Sequence, residues 1–469
     1  MKVLLIGKNP NSNEIASFFS SRGDVVSEDS SMNIVGLSGC IGGFTSMHKN
    51  YSSEVDILVL TELPQTPIVD IAGGKVHSVF CEDKLALIPK KERLEPIVFL
   101  LDYFDESFLS AHITALTDAK MLAGQKRKVF YLSKFVRTAY QGGEKLYQEA
   151  RNAGVAFVKY EELQINYNSD NDNFTINLSD GVFEKEIITS TVFSDDLHNV
   201  CEDFTHATKV LRLETDEKGY INETKHFLTP VLTSRKGVYH ISRDLLMTGL
   251  DDALNAIVSD AYAIEAEFAD VPLGEKNTVN VDGEKCVFCY SCYRACPHAA
   301  MEADENTRAM KNLTKACSSC GTCVSVCPAN ALTLSLGEEI STNAKDGKIL
   351  VMCCENSAEI AMNEILPSMG SYGELIEIQS FSCGGSMGLE NLTHALISYD
   401  KVVVAVCMDD ACKHFDGNKR ACAQKNRLLE MLEKSGLDAG RIGFIQVSPV
   451  MAGVLKDELT EFIEGRCLS

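Results

Sequence analysis

No stretch of this 469-residue chain approaches the roughly 18 consecutive apolar residues that a membrane helix needs, so membrane insertion is not expected. The opening run Met1-Lys2-Val3-Leu4-Leu5-Ile6-Gly7-Lys8 is too short for a signal peptide and reads as a buried first strand, which points to the cytoplasm. Basic residues are in deficit: 44 Lys and Arg against 66 Asp and Glu leave a net charge of −22. Such a surface repels phosphate backbones and excludes nucleic acid as a partner. Also missing is any paired acid and base or activated nucleophile, so no organic-substrate site and no catalytic residue is expected. Cysteine itself is scarce at first, with only Cys40, Cys81 and Cys201 ahead of residue 265. The other fifteen of the eighteen lie beyond residue 280, a clustering that suits metal binding or redox chemistry in a large chain better than disulfides.

What is present divides the chain into several α/β units. Apolar runs at Lys2–Gly7, Val55–Leu60, Pro96–Leu101 and Lys128–Leu132 read as buried strands. Asn13–Ser21 and the stretch through Ala115, Ala119 and Met121 read as helices. Gly143–Ala153 reads as a helix ending at Gly154, followed by a strand at Val155–Val158. Phe174–Leu178 and Phe183–Ile188 flank Ser179-Asp180-Gly181, a hairpin signal. Alternating strands and helices imply a mainly parallel sheet covered on both faces. Phe268–Glu284 and Gly337–Gly347 read as linkers on either side of a cysteine-rich block. Beyond them Ile349–Met352, Glu374–Ile378, Lys401–Val406 and Arg441–Val447 read as strands of a second, small α/β unit, with a long helix at Lys419–Leu437.

The central block holds Cys286-Val-Phe-Cys289-Tyr-Ser-Cys292-Tyr-Arg-Ala-Cys296-Pro297 and Cys317-Ser-Ser-Cys320-Gly-Thr-Cys323-Val-Ser-Val-Cys327-Pro328. Both follow the spacing of bacterial two-cluster ferredoxins, in which three thiolates of a run take one [4Fe-4S] cluster and the fourth ligates the other. By that rule Cys286, Cys289, Cys292 and Cys327 hold one cluster, and Cys317, Cys320, Cys323 and Cys296 the other. Zinc is the competing reading, but its sites pair two close ligands with two distant ones. Tyr290 and Tyr293, lying between ligands, are expected to shield a cluster from water. His298, His240 and His414 read as packing residues, His414 with a chance to tune the cysteine beside it.

Cys354, Cys383 and Cys407 each follow a strand of the C-terminal unit, and Cys412 lies just beyond. In a parallel sheet strand ends face one crevice, so these four are candidates for a single metal centre, a [2Fe-2S] cluster or zinc. Here the chain resembles a known family. Val351-Met-Cys-Cys-Glu-Asn-Ser357, Ser382-Cys383-Gly, Val406-Cys407-Met-Asp-Asp-Ala-Cys412-Lys-His414 and Gly417-Asn418 make Ile349–Glu461 similar to the delta subunit of methyl-viologen-reducing hydrogenase. The resemblance implies a [2Fe-2S] cluster on Cys354, Cys383, Cys407 and Cys412. Ser357 stands where that family often has a second cysteine, and Cys353 is a spare thiol beside the first ligand.

Residues 1–336 resemble the flavin-domain subunit of heterodisulfide reductase, which joins a thioredoxin-reductase-like flavin domain to a ferredoxin insert. The pieces that carry this are Lys128-Val-Phe-Tyr-Leu132, Gly143-Glu-Lys-Leu-Tyr147 through Ala150-Arg-Asn-Ala-Gly154-Val155, and Gly219-Tyr-Ile221 through Thr229-Pro230-Val231. The implied fold is α/β: a degenerate thioredoxin-reductase-like module of two dinucleotide domains, a two-[4Fe-4S] ferredoxin domain, and a small C-terminal iron–sulfur domain. The expected limits are 1–95 plus 190–267 for the flavin-type domain, 96–189 for the nicotinamide-type insert, 276–336 for the ferredoxin and 346–469 for the last. FAD is doubtful. Of the phosphate-binding G-x-G-x-x-G only Gly7 survives in Gly7-Lys8-Asn9-Pro10-Asn11-Ser12, Pro10 removes an amide, and Ser242-Arg243 precede Asp244. Gly7 and Asp244 remain the flavin candidates. The glycines of Ser38-Gly-Cys40-Ile-Gly42-Gly43-Phe44 read as a turn, and no nicotinamide fingerprint is visible. The expected function is an iron–sulfur electron-transfer subunit of a cytoplasmic, anaerobic oxidoreductase complex. It would relay electrons between a donor module such as a hydrogenase or formate dehydrogenase and a reductase module. The alternatives are a flavin-containing enzyme subunit that bifurcates electron pairs, and a zinc-stabilised assembly protein.

Overall fold

A computed structural model of the chain describes residues 1–7, 9, 11–61, 68–81, 88, 95–103, 106–179, 181, 184–195, 200–221, 230–269, 278–334, 340 and 345–465. Lys8, Pro10, Asp180, Thr229, Cys467 and the middle of both expected linkers lie outside the described residues.

The first unit is built on four parallel strands in the order β16-β6-β1-β2, namely β1 (Lys2–Ile6), β2 (Val25–Asp29), β6 (Ile57–Leu60) and β16 (Val238–His240). Val3–Ile6 and Ile57–Leu60 are buried at every position, as strands of a parallel sheet covered on both faces must be. The helix Ser12–Ser21 seals its end of the sheet with Ile15 and Phe19, and Leu250–Ala269 lays Leu254, Ile257, Ala261 and Ile264 on the same core. The run expected as one strand, Val55–Leu60, is two. Val55 closes an antiparallel meander of β3 (Ile34–Ser38), β4 (Phe44–His48) and β5 (Ser52–Val55), and Asp56 breaks the run by accepting the Lys2 amide at 2.6 Å. The glycine cluster is the β3–β4 turn; Gly39 sits at φ +84°, where a Cβ would strike the Gly43 carbonyl.

The inserted unit has the sheet order β11-β10-β9-β15-β8-β7. Its strands are β7 (Ile68–Ile71), β8 (Gly74–Ser78), β9 (Ile97–Leu100), β10 (Val129–Ser133), β11 (Ala156–Lys159) and β15 (Thr191–Ser194). The sheet therefore draws strands from both sides of the 96–189 stretch, because β8 and β15 pair in parallel and carry the core past β9. Helices Leu109–Gly124 and Gly143–Ala153 cover one face; Gly154 ends the second at φ +101°, a left-handed cap. A meander of β12 (Glu162–Asn168), β13 (Asn173–Ser179) and β14 (Glu184–Thr189) covers the other through Ile165, Phe174 and Ile176. Both units thus share one plan: a mainly parallel sheet, helices on it, and a three-stranded meander.

The ferredoxin block repeats itself. β17 (Val279–Val281) pairs with β20 (Leu332–Leu334) and β18 (Met301–Asp304) with β19 (Ala309–Asn312), both antiparallel. β17 lies inside the stretch expected to be linker. Three residues are too few to show a period, and the partner strand is some fifty residues away. The last unit has four parallel strands in the order β22-β21-β23-β24: β21 (Lys345–Cys354), β22 (Ile376–Phe381), β23 (Tyr399–Val406) and β24 (Ile442–Gln446). Helices Ala358–Ile365 and Ala452–Ile463 pack on one face; Leu389–Ser398 and Gly417–Lys434 pack on the other. No helix of the described residues is long and apolar enough to cross a membrane.

The ferredoxin block is wedged between the first and last units. Arg212 stacks its guanidinium 3.7 Å from the centre of the Tyr293 ring and donates to the Tyr293 carbonyl at 2.6 Å. Glu302 accepts the Gly39 amide at 2.6 Å, and Lys236 donates to the Cys317 carbonyl at 3.1 Å. Beneath this seam Arg235 is almost wholly buried and donates to the carbonyls of Leu211, Leu37 and Gly39 at 3.1–3.3 Å. Burial lowers the basicity of its guanidinium to about 10. Arg235→Leu would leave three carbonyls without a donor, each a desolvation cost of about 1–3 kcal/mol. The expected outcome is a loss of at least about 3 kcal/mol in denaturant unfolding, not recovered by Arg235→Lys, whose single ammonium cannot reach all three.

Candidate metal centres

In each ferredoxin run the residues on either side of the middle cysteine are left-handed: Phe288 and Tyr290 around Cys289, Ser319 and Gly321 around Cys320. Two such residues coil the chain tightly enough to turn successive thiols toward one point. The structure brings Cys286, Cys289, Cys292 and Cys327 to the walls of one cavity, with Tyr290, Met310 and Pro328. Cys296, Cys317, Cys320 and Cys323 line a second, with His298 and Met301. Backbone amides point at the sulfurs: Ala300 donates to Cys296 and Ala331 to Cys327, both at 3.3 Å, and Ser319 donates to Cys317 at 3.4 Å. Burial pushes the Cys292 thiol up to about 11 and Cys320 to about 12. Four thiols so placed become thiolates only where a cation offsets the lost hydration, while the amides are already aimed at negative sulfur. The donor set fits an iron–sulfur cluster in each cavity.

In the last unit Cys354 closes β21 and Cys407 follows β23, on adjacent strands where the sheet order reverses. Their sulfurs are 3.7 Å apart, and those of Cys383 and Cys412 4.0 Å. Within each pair either sulfur can donate to the other, so a thiolate on one member is favoured by a thiol on its partner. Four thiols this close and mostly buried fit a set that gives up protons to a bound cation. Cys353 points the other way, as strand alternation requires, and packs with Ala358 and Val403 in the core. Asn418 ties down the Cys407 loop by donating to the carbonyls of Cys407 and Met408 at 3.3 and 2.9 Å. Gly417 is small for a reason that the motif alone did not reveal: a Cβ there would collide with the Cys383 sulfur and lie 3.3 Å from that of Cys412.

Tyr290 lines the first cavity, whereas Tyr293 lies under Arg212. His240 is buried against Phe204, and burial lowers it to about 4. His298 and His414, read separately from the sequence, meet: His298 Nε2 lies 3.0 Å from His414 Nδ1. No spacing rule joins residues 116 apart; only the docking of the two loops does. No disulfide joins the described cysteines, Cys40, Cys81, Cys201 and Cys422 among them.

The flavin candidates are engaged elsewhere. Gly7 follows β1 at φ +94°, its amide on the Asp29 carbonyl at 2.9 Å and its carbonyl accepting the Thr61 hydroxyl at 3.1 Å. Asn9 crosses the crevice between β1 and β6 to donate to the Thr61 carbonyl at 2.9 Å. Asp29, the acid at the end of β2, accepts from Tyr51, Asn33 and the Ser30 amide at 2.7 Å each. Asp244 accepts the Ser110 amide at 2.8 Å, capping a helix of the inserted unit. The inserted unit's own crevice, at the ends of β9 and β15, holds two buried carboxylates. Asp102 takes amides from Ser107 at 2.8 Å and Lys134 at 3.0 Å, and Asp195 takes the Ser107 hydroxyl. Burial works against the Asp102 charge, but the His112 hydrogen bond and these amides outweigh it and keep the carboxyl below its ordinary value. Two buried acids in this position repel a pyrophosphate.

Residues 279–334 match the family of 4Fe-4S dicluster domains, and 349–465 match the family of methyl-viologen-reducing hydrogenase, delta subunit. Over 75 residues the chain is 32% identical to a ferredoxin of Pyrobaculum islandicum, covering 16% of this chain and 69% of that protein. Over 53 residues it is 43% identical to pyruvate synthase subunit PorD of Methanocaldococcus jannaschii. That match covers 11% of this chain and spans 60% of the length of the relative. Among solved structures the chain aligns with thioredoxin reductase of Lactococcus lactis at TM-score 0.37 and 12% identity, over 57% of this chain and 97% of that one. It aligns with the flavoprotein disulfide reductase RclA of Escherichia coli at TM-score 0.32 and 9% identity, over 60% and 74%.

Gly417 opens a helix, where alanine is favoured over glycine by up to about 1 kcal/mol. Gly417→Ala is nevertheless expected to lower the metal bound by the last unit by half or more, because the added carbon takes space between two of its sulfurs. Metal analysis alongside circular dichroism checks this, with helix content unchanged or slightly raised.

Proposed function

We propose, from the premise that the chain belongs to the ferredoxin family through residues 279–334, that it is an iron–sulfur electron-transfer protein wired at three points within a larger complex. The observation that carries this reading is the gathering of twelve cysteines into three four-sulfur sets within one packed assembly. Two [4Fe-4S] clusters would be held by Cys286, Cys289, Cys292 and Cys327, and by Cys317, Cys320, Cys323 and Cys296. A [2Fe-2S] cluster would be held by Cys354, Cys383, Cys407 and Cys412. Bound there, such clusters supply one-electron transfer without bond making on a substrate. The residues' share is to present thiolates, aim amides at them, and keep water from the second and third sets, most of whose thiols are buried.

Partners belong to this reading. One matched family is a component of a hydrogenase and one relative a component of pyruvate synthase, so a multi-subunit redox complex is the natural setting. A hydrogenase, formate dehydrogenase or similar donor module would stand at one end and a reductase module at the other, in an anaerobic cytoplasm. The two dinucleotide-type units serve as scaffold without flavin, since Gly7, Asn9, Thr61, Asp29 and Asp244 are bonded to one another or to neighbouring elements. On this reading they are the counterpart of the flavin domain in the flavin-domain subunit of heterodisulfide reductase, without its flavin.

Protein purified without oxygen is expected to carry about ten irons and matching sulfide per chain, with no flavin. One flavin per chain would favour the electron-bifurcating enzyme, and zinc in place of iron would sink the electron-transfer reading.

A further inference from the structure

The second and third cysteine sets face each other across two contacts, and both contacts are made by the ligand loops themselves. In the first, Cys320-Gly321-Thr322 packs on Cys383-Gly384-Gly385. A Cβ on Gly321 would collide with Ser386, and one on Gly385 would collide with the Thr322 hydroxyl. Ser325 then donates to the Gly385 carbonyl at 2.7 Å. In the second contact, Cys296-Pro297-His298 meets Cys412-Lys413-His414 through the imidazole pair, both rings nearly sealed from solvent.

The direction of that hydrogen bond follows from its neighbour. His298 Nδ1 lies 3.0 Å from the Ser234 carbonyl, which can only accept, so in the neutral ring Nδ1 carries the proton and Nε2 is an acceptor. His414 Nδ1 must then donate. The result is one directed chain, His414 to His298 to Ser234, through all three packed units. A ring nitrogen of each histidine and the Cys320 sulfur lie within 4.8 Å of one another. They do not form a separate metal site, because both nitrogens of His298 are committed and Cys320 faces the second cavity. The first set stands apart from this junction, and its Cys289 is exposed.

We propose that the His298–His414 pair is a positioning device that fixes the spacing between the C-terminal centre and the second ferredoxin centre, so that the three centres work in the order C-terminal, second, first. This rests on the reading under Proposed function. Each transfer along the line takes one electron from a reduced centre and gives it to the adjacent oxidised one, with no bond made or broken. The exposed first centre is then the one presented to an external carrier.

Fully reduced, iron-loaded protein is expected to show an electron paramagnetic resonance signal from the C-terminal centre that is split by a neighbouring spin. Cys317→Ser, at the second set, should remove the splitting and keep the signal, whereas Cys286→Ser, at the first, should leave both. The reverse pattern overturns the order. Absence of any two-iron signal in the wild type would instead refute the assignment of the C-terminal centre. His298→Leu and His414→Leu should each weaken the splitting and slow re-equilibration after flash reduction by about tenfold. The double variant should be no worse than either, because both remove one contact. His298→Gln, whose amide can still donate and accept, should recover most of the rate. Unchanged splitting and rate in both leucine variants with full iron overturn the positioning role. Should the leucine variants lose iron, the glutamine and cysteine variants decide.

Discussion

Twelve thiols gathered into three sets cannot all be thiolates at once unless a cation offsets their charge. Burial raises Cys292, Cys320 and Cys323, while amides of Ala300, Ala331, Ser319 and Gly385 already point at sulfur. Left alone, such groups are a liability inside a protein, and a bound cation would offset it. Much of the rest of the structure is arranged around that requirement. The left-handed residues at 288, 290, 319 and 321 turn the ligand loops, Gly417 leaves room for the sulfurs of Cys383 and Cys412, and Gly384 and Gly385 let the Cys383 loop pack closely on Val406 and Thr322.

The same need for closeness explains how the units are joined. The seam between ferredoxin block and last unit is made largely by the ligand loops: Gly321 and Gly385 facing Ser386 and Thr322, and the hydrogen-bonded imidazoles of His298 and His414. On the other side the block is held by charge and ring contacts, Arg212 on Tyr293, Glu302 on Gly39 and Lys236 on Cys317, laid over the buried Arg235. The contacts between ligand loops hold the second and third cysteine sets at a fixed separation.

The first two units show the opposite arrangement. Each is a mainly parallel sheet layered with helices and a meander, and the crevices at its strand ends are tied by the units' own residues. Asn9 and Thr61 close one; Asp102, Ser107 and Asp195 fill the other. A sheet needs only its core residues to survive, and those are complete from Val3 to Ile6 and from Ile57 to Leu60. The crevice at the strand ends imposes no such demand, so its polar residues can vary without cost to the sheet.

Spacing by itself determined the ferredoxin block, because cysteines three and four residues apart leave the backbone few ways to turn, and both runs follow one rule. It also determined the strands that are buried on both faces, since continuous apolar runs have no other use. Periodicity was silent where strands are short or alternate weakly, as at β3, β4 and β17, and it ran β5 and β6 together across Asp56. Tertiary structure alone decided which of two adjacent thiols faces Cys407, since Cys353 and Cys354 differ only in the side of the strand they occupy. It alone showed what Gly417 makes room for, and it brought His298 to His414 across 116 residues. Local sequence carries turns and periods; which loops meet depends on how whole sheets dock, and that is written in no single segment.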